Sequence, residues 1–136
     1  MVRRVAALVL CVAAALWAPS ARADAPKPVV VFQCDRASGP GRVRCGVEAK
    51  VASGEIIRWG DVEILQMPDF AQPLKGRIGP REASSHEDTV WRWGLAVVAR
   101  RAGTGNVVLR VRLVVCADND RCAPQVVEAQ TVLQVG

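Results

Sequence analysis

Four residues of one reactive type dominate the chemistry this chain could do: Cys34, Cys45, Cys116 and Cys122. They fall into two local pairs, with ten residues inside the first and five inside the second. Paired thiols can staple a fold, exchange electrons with other thiols, or hold zinc. Structural zinc sites favour C-x2–4-C knuckles, which neither spacing provides, so no metal is expected. Two disulfides are expected instead. Four cysteines allow three connectivities, and proximity favours Cys34–Cys45 with Cys116–Cys122.

The elements that must position these thiols read as strands. Val43, Cys45, Val47, Ala49 and Val51 share one parity, and Arg44, Glu48 and Lys50 share the other. That period of two belongs to a half-buried strand. Trp91–Val97, Val107–Val115 and Val127–Val135 alternate in the same way, and Val29–Phe32 and Ile56–Leu65 are shorter candidates, the latter broken near Gly60-Asp61. Turn signals separate them at Ser38–Gly41, Ser53-Gly54, Gly79-Pro80, Gly103–Asn106 and Asp118–Asp120. No stretch carries a capped apolar stripe of helical period. The expected fold is all-β, an immunoglobulin-like β-sandwich of about seven strands. Segment 66–88, rich in proline and polar residues, reads as a long excursion at one end of the sandwich.

Parity gives the two pairs different surroundings. Cys45 shares the parity of Val43 and Val47 and is expected to face the core. Cys34 shares that of Phe32 and suits a partner in the same hairpin, so this pair reads as a structural staple. Cys116 has the parity of Arg110 and Arg112, which puts its sulfur on the face away from the apolar row. A disulfide to Cys122, across the turn 117–121, is expected to be partly exposed and within reach of other thiols. Arg121 favours a thiolate at Cys122, whereas Asp118 and Asp120 oppose it. Small exported domains commonly carry several staples, so the residues alone favour a second staple here over a redox pair.

Export is written in the first 23 residues. Arg3 and Arg4 form a basic start, Val5–Trp17 is an uncharged run of 13 residues, and Ala21-Arg22-Ala23 offers the small-x-small ending of a cleavable signal peptide. The apolar run is shorter than the ~20 residues a membrane span needs. The expected mature domain is 24–136, periplasmic or secreted, without stable membrane insertion. Cys11 leaves with the signal. So do Arg3, Arg4 and Arg22, which lowers the formal charge from +5 to +2. The remaining arginines are scattered, and no nucleic acid partner is expected.

The stretch Val114-Val115-Cys116-Ala117-Asp118-Asn119-Asp120-Arg121-Cys122-Ala123-Pro124 resembles the redox motif of the N-terminal domain of the DsbD family of thiol:disulfide interchange proteins. Cys116, Ala117, Asp118, Cys122 and Pro124 match in type and order. The family's aromatic residue before the first cysteine and its second proline are replaced here by Leu113-Val114-Val115 and Ala123-Pro124-Gln125. The resemblance implies an immunoglobulin-like periplasmic domain performing thiol–disulfide exchange without metal or organic cofactor. Cys122 would form the mixed disulfide and Cys116 would resolve it. The partner would be another periplasmic thiol or disulfide protein, and any electron supply would have to come from another protein. An aromatic cap loop is implied as well, with Asp69-Phe70 as its counterpart.

Against this stands a different class of function: a non-catalytic exported binding or structural domain in which both disulfides are staples. The remaining residue types add no third option. His86 is the only histidine and reads as part of a solvated loop. No serine has a triad signature around it. Trp59, Trp91 and Trp93 are expected in the core, and Gly103-Thr104-Gly105 in a hairpin turn.

Overall fold

The computed structural model describes residues 26–136; the expected signal peptide and its cleavage site lie outside the described residues. The alternating segments form β1 (Val29–Cys34), β2 (Gly41–Lys50), β3 (Glu55–Gln66), β7 (Val90–Ala99), β8 (Gly103–Ala117) and β9 (Cys122–Val135). Three short strands lie between β3 and β7: β4 (Ala71–Pro73), β5 (Arg77–Ile78) and β6 (Ser85–His86). One antiparallel sheet runs β1-β2-β7-β4, with β6 also on β7, and the other runs β5-β3-β8-β9. The two pack face to face as an all-β sandwich. A 3-10 turn at Pro80–Glu82 completes the elements, and no helix among the described residues is long and apolar enough to cross a membrane.

The inward parity of each long strand supplies the core. Val43, Cys45, Val47 and Ala49 from β2 and Trp91, Trp93, Leu95 and Val97 from β7 face Val107, Leu109, Val111 and Leu113 from β8. Burying aliphatic and aromatic side chains of this size is worth roughly 1.5–3 kcal/mol each, and this layer holds the sheets together. Trp93 is the largest of the fully buried side chains, and its indole Nε1 donates to the Gly79 carbonyl oxygen at 3.2 Å.

Four expectations need correction. Strand β3 runs unbroken through Gly60-Asp61, and its register to β8 shifts instead between Ile57 and Trp59, two residues earlier, and again between Ile64 and Gln66. Arg58 is the extra residue at the first shift, and from Trp59 to Ile64 the parity of β3 is inverted. Trp59 is therefore turned to the outer face, 36% exposed, while Trp91 and Trp93 are buried as expected. Gly60 faces inward, where a Cβ would come within 2.9 Å of Leu113 Cδ2 and 3.0 Å of Trp93 Cη2.

Gly103-Thr104-Gly105 belongs to β8 rather than to a turn, paired with Val135, Gln134 and Leu133. A Cβ on Gly103 would sit 2.7 Å from the Phe70 ring, so the glycine is a seat for that ring. Segment 66–88 is likewise no free excursion. It lays β4 and β6 on the edge of β7 and β5 on the edge of β3, stitching both sheets along one side.

Candidate functional site

The expected site residues come together at the turn end of the β8–β9 hairpin. Ala117 N–H donates to the Arg121 carbonyl at 2.8 Å, and Asp120 N–H donates to the Ala117 carbonyl at 3.0 Å. The loop is thus residues 118–120, a tight turn closed by a residue in the left-handed region. That residue is Asp120, with φ 58°. Asparagine and aspartate tolerate this conformation better than other non-glycine residues. The Asn119 side chain steadies the turn by accepting from Arg121 N–H at 3.3 Å.

One step below the turn, Cys116 and Cys122 stand directly opposite each other and are joined by a disulfide, with their Cα atoms 3.9 Å apart. Cys34 and Cys45 are joined in the same way between β1 and β2. Both pairings agree with the local connectivity that the spacing favours. Two such bonds fit a chain that folds in an oxidising compartment.

The two sulfurs of the C-terminal bond differ in access. Cys122 is exposed, as its place at the start of an edge strand dictates, whereas Cys116 is only 2% exposed. Parity put Cys116 on the outer face correctly but implied an accessible sulfur, which it is not. The register sets Ile56 of β3 on one side of it and Cys122 on the other, so the outer face is covered at that point. Cys122 Sγ lies 3.7 Å from the Asp120 carbonyl oxygen. A disulfide sulfur donates nothing, but the reduced thiol has an acceptor waiting there.

Trp59 opposite Val114, and Val114 opposite Pro124, form the next row of the outer face. Beyond it lies a charged cluster that sequence reasoning missed. Asp61 is 3% exposed although it lies on the outer face. Arg112 covers it, donating from Nε to Asp61 Oδ1 at 2.8 Å and from Nη2 to Oδ2, a two-pronged contact. Arg77 adds a second cation 3.9 Å from Asp61 and reaches Glu63 at 3.2 Å. Its hydrogen bonds to Asp61 hold the Arg112 guanidinium charged more firmly than usual, and that group lies 5.6 Å over the Trp59 ring. Only the strand register reveals that these charges meet, since β3 and β8 are distant in sequence.

Phe70 does not belong to this site. It is buried against Gly103, and β8 runs thirteen residues from there to Cys116, about 40 Å of extended chain. The expected aromatic cap over the disulfide is therefore not made by Asp69-Phe70. His86 is exposed at the edge of β7; its Nε2 donates to the Pro80 carbonyl at 2.6 Å and its ring meets Trp91 edge-on at 4.5 Å. No group of three metal-ligating side chains occurs among the described residues.

Compared with known proteins, the chain matches no family model, no curated protein and no solved structure.

Proposed function

We propose that this chain is an exported thiol–disulfide exchange module in which Cys122 meets the partner and Cys116 resolves the intermediate. The observation that carries the reading is the unequal access of the two sulfurs, one open at a hairpin end and the other sealed beside it. Exchange needs one sulfur that a foreign thiol or disulfide can reach. It also benefits from a second that only its neighbour can reach, because this confines the resolving step to the pair.

The reaction balances without any cofactor. In the reduced pair, the Cys122 thiolate attacks one sulfur of a partner disulfide, and the partner's other sulfur leaves as a thiolate. The Cys116 thiolate then attacks Cys122 Sγ, forming Cys116–Cys122 and releasing the partner's first sulfur. Two electrons pass from the pair to the partner, and the reverse sequence passes them back. The strand orders β1-β2-β7 and β3-β8-β9 support an immunoglobulin-like arrangement. That arrangement is in keeping with the resemblance to DsbD N-terminal domains, and the signal-like residues 1–23 support a periplasmic or secreted setting.

The second reading, a stapled binding domain, draws on the likeness of the two bonds: each links directly opposed residues of neighbouring strands. Glutathione titration with mass-spectrometric thiol counting separates the two. Under the exchange reading, Cys116–Cys122 reduces selectively, well above the ~−300 mV of structural disulfides, while Cys34–Cys45 and the fold persist. Bonds that yield together, and only on unfolding, would make both of them staples.

A further inference from the structure

We infer that the N-terminal arm of β9, residues 122–126, is a strand-addition edge that takes an extended, cysteine-bearing basic segment of the partner protein. The inference rests on the exchange reading, whose partner it specifies.

β9 is the outermost strand of its sheet, and no strand pairs with its outer edge over 122–132 among the described residues. Its C-terminal end is tied down: Ala37 N–H donates to the Gln134 carbonyl at 3.1 Å, and Gly136 N–H donates to the Ala37 carbonyl at 2.8 Å. Those contacts show which backbone groups face outward. Residues 134 and 136 present theirs to the edge, and antiparallel alternation extends this to every even position of β9. Cys122 and Val126 therefore offer an outward N–H and C=O, and Pro124 a C=O alone. The position of Pro124 is consistent, since proline is confined to places where no ladder N–H is needed.

This arm also stands clear of the sandwich. Cys122, Ala123, Pro124 and Val126 are all exposed, Val126 to 57%, although Ala123 has the inward parity. An edge with unmet donors and acceptors on either side of an accessible sulfur is complementary to one thing above all, another extended backbone. Such a backbone would bring its own cysteine alongside Cys122.

Charge narrows the occupant further. Asp118 and Asp120 lie in the turn that leads into β9, and Glu55 lies opposite Ala117 on β3, two strands in from this edge. They face Arg121 as the local cation, and none of these four is in an ion pair among the described residues. The hairpin end as a whole is net negative, which favours the approach of a basic segment and disfavours an acidic one.

The test uses the whole exported chain with Cys116→Ala, which leaves Cys122 as a single accessible thiol. The probe is a short unstructured peptide alternating threonine and lysine around one cysteine, held as its thiopyridyl disulfide. Attack of Cys122 on the peptide sulfur forms the mixed disulfide and releases pyridinethione, whose absorbance reports the rate. Capture should saturate with peptide concentration. Val126→Pro removes an outward N–H without touching the β8–β9 ladder and should slow capture about tenfold, as should N-methylation of the peptide backbone. Replacing the peptide lysines by glutamates should slow capture at low salt and lose that effect at high salt.

Dipyridyl disulfide, which needs no edge, should react equally with both proteins. Unchanged peptide capture after Val126→Pro and N-methylation would overturn the inference, and equal rates for lysine and glutamate peptides would overturn its choice of occupant. A dimer that Val126→Pro dissolves would give the edge to a second copy and likewise overturn it. If Cys122 fails to react even with dipyridyl disulfide in the folded chain, it is the exchange reading that falls. Reduced wild-type chain, quenched by alkylation, serves the same comparison if Cys116→Ala does not fold.

Discussion

The Phe70 ring closes over Gly103 so tightly that a single added carbon on the glycine would come within 2.7 Å of it. This contact pins the start of segment 66–88 to the end of the sandwich remote from Cys116 and Cys122. Phe70→Ala should cost about 3–5 kcal/mol of stability, the usual range for emptying a buried aromatic site. In conditions where the variant remains folded, its Cys116–Cys122 bond should reduce at the wild-type rate. Denaturant unfolding and a thiol-release assay check the two halves, and altered reduction in folded Phe70→Ala would restore the ring to the site.

Gly60 should also be intolerant, though less so. Gly60→Ala pushes a methyl group against Leu113 and Trp93 in the fully packed layer, and overpacking of this kind costs roughly 1–3 kcal/mol. The expected readout is a lower denaturation midpoint with an unchanged slope.

At the hairpin end the direction reverses. Asp120 holds φ 58°, a conformation in which glycine carries no Cβ penalty, so Asp120→Gly should stabilise the chain by about 0.5–1 kcal/mol. A loss of stability on thermal unfolding would mean that the carboxylate makes a contribution the geometry does not reveal.

Glu82 provides a pH test. Its carboxyl is held below its ordinary 4.5, first by the hydrogen bond from Lys75 and then by the Gly79 N–H. A carboxyl depressed on folding contributes stability above its unfolded value, and the contribution is lost as pH falls through the folded value. NMR titration should therefore place Glu82 below 4.5, and Lys75→Met should move it upward.

The staple should behave as one. Replacing Cys34 and Cys45 together by alanine opens a closed loop whose ends are 11 apart in sequence, for which the chain-entropy relation gives about 3 kcal/mol. Chemical unfolding should register that loss, while the reactivity of Cys122 in the folded state stays as it was.

The long strands were legible because their apolar residues keep strict alternation: β2, β7, β8 and β9 each lie where the parity of valine, leucine and tryptophan puts them. Pairing of the cysteines was legible from proximity, since the members of each pair are only 11 and 6 residues apart in sequence. Trp59 was not, because one inserted residue at Arg58 inverts parity without changing composition. Gly103 and Gly105 read as a turn because a sequence shows the missing side chains and not the Phe70 and Pro68 that fill the space. The sealing of Cys116 and the Asp61–Arg112 pair both depend on which residue of β3 lies opposite which residue of β8, a relation that no local pattern encodes.

Pro124 has a consequence for the protein as a concentrated solute. An edge left free for a partner is equally free for the many identical chains around it, and backbone ladders between like strands are how fibrils grow. At Pro124 a neighbouring β9 finds an oxygen but no hydrogen, so a continuous ladder along 122–126 is interrupted. One imino acid thus allows a brief visitor that bonds on either side of the gap and denies the uninterrupted zipper that would make the visit permanent.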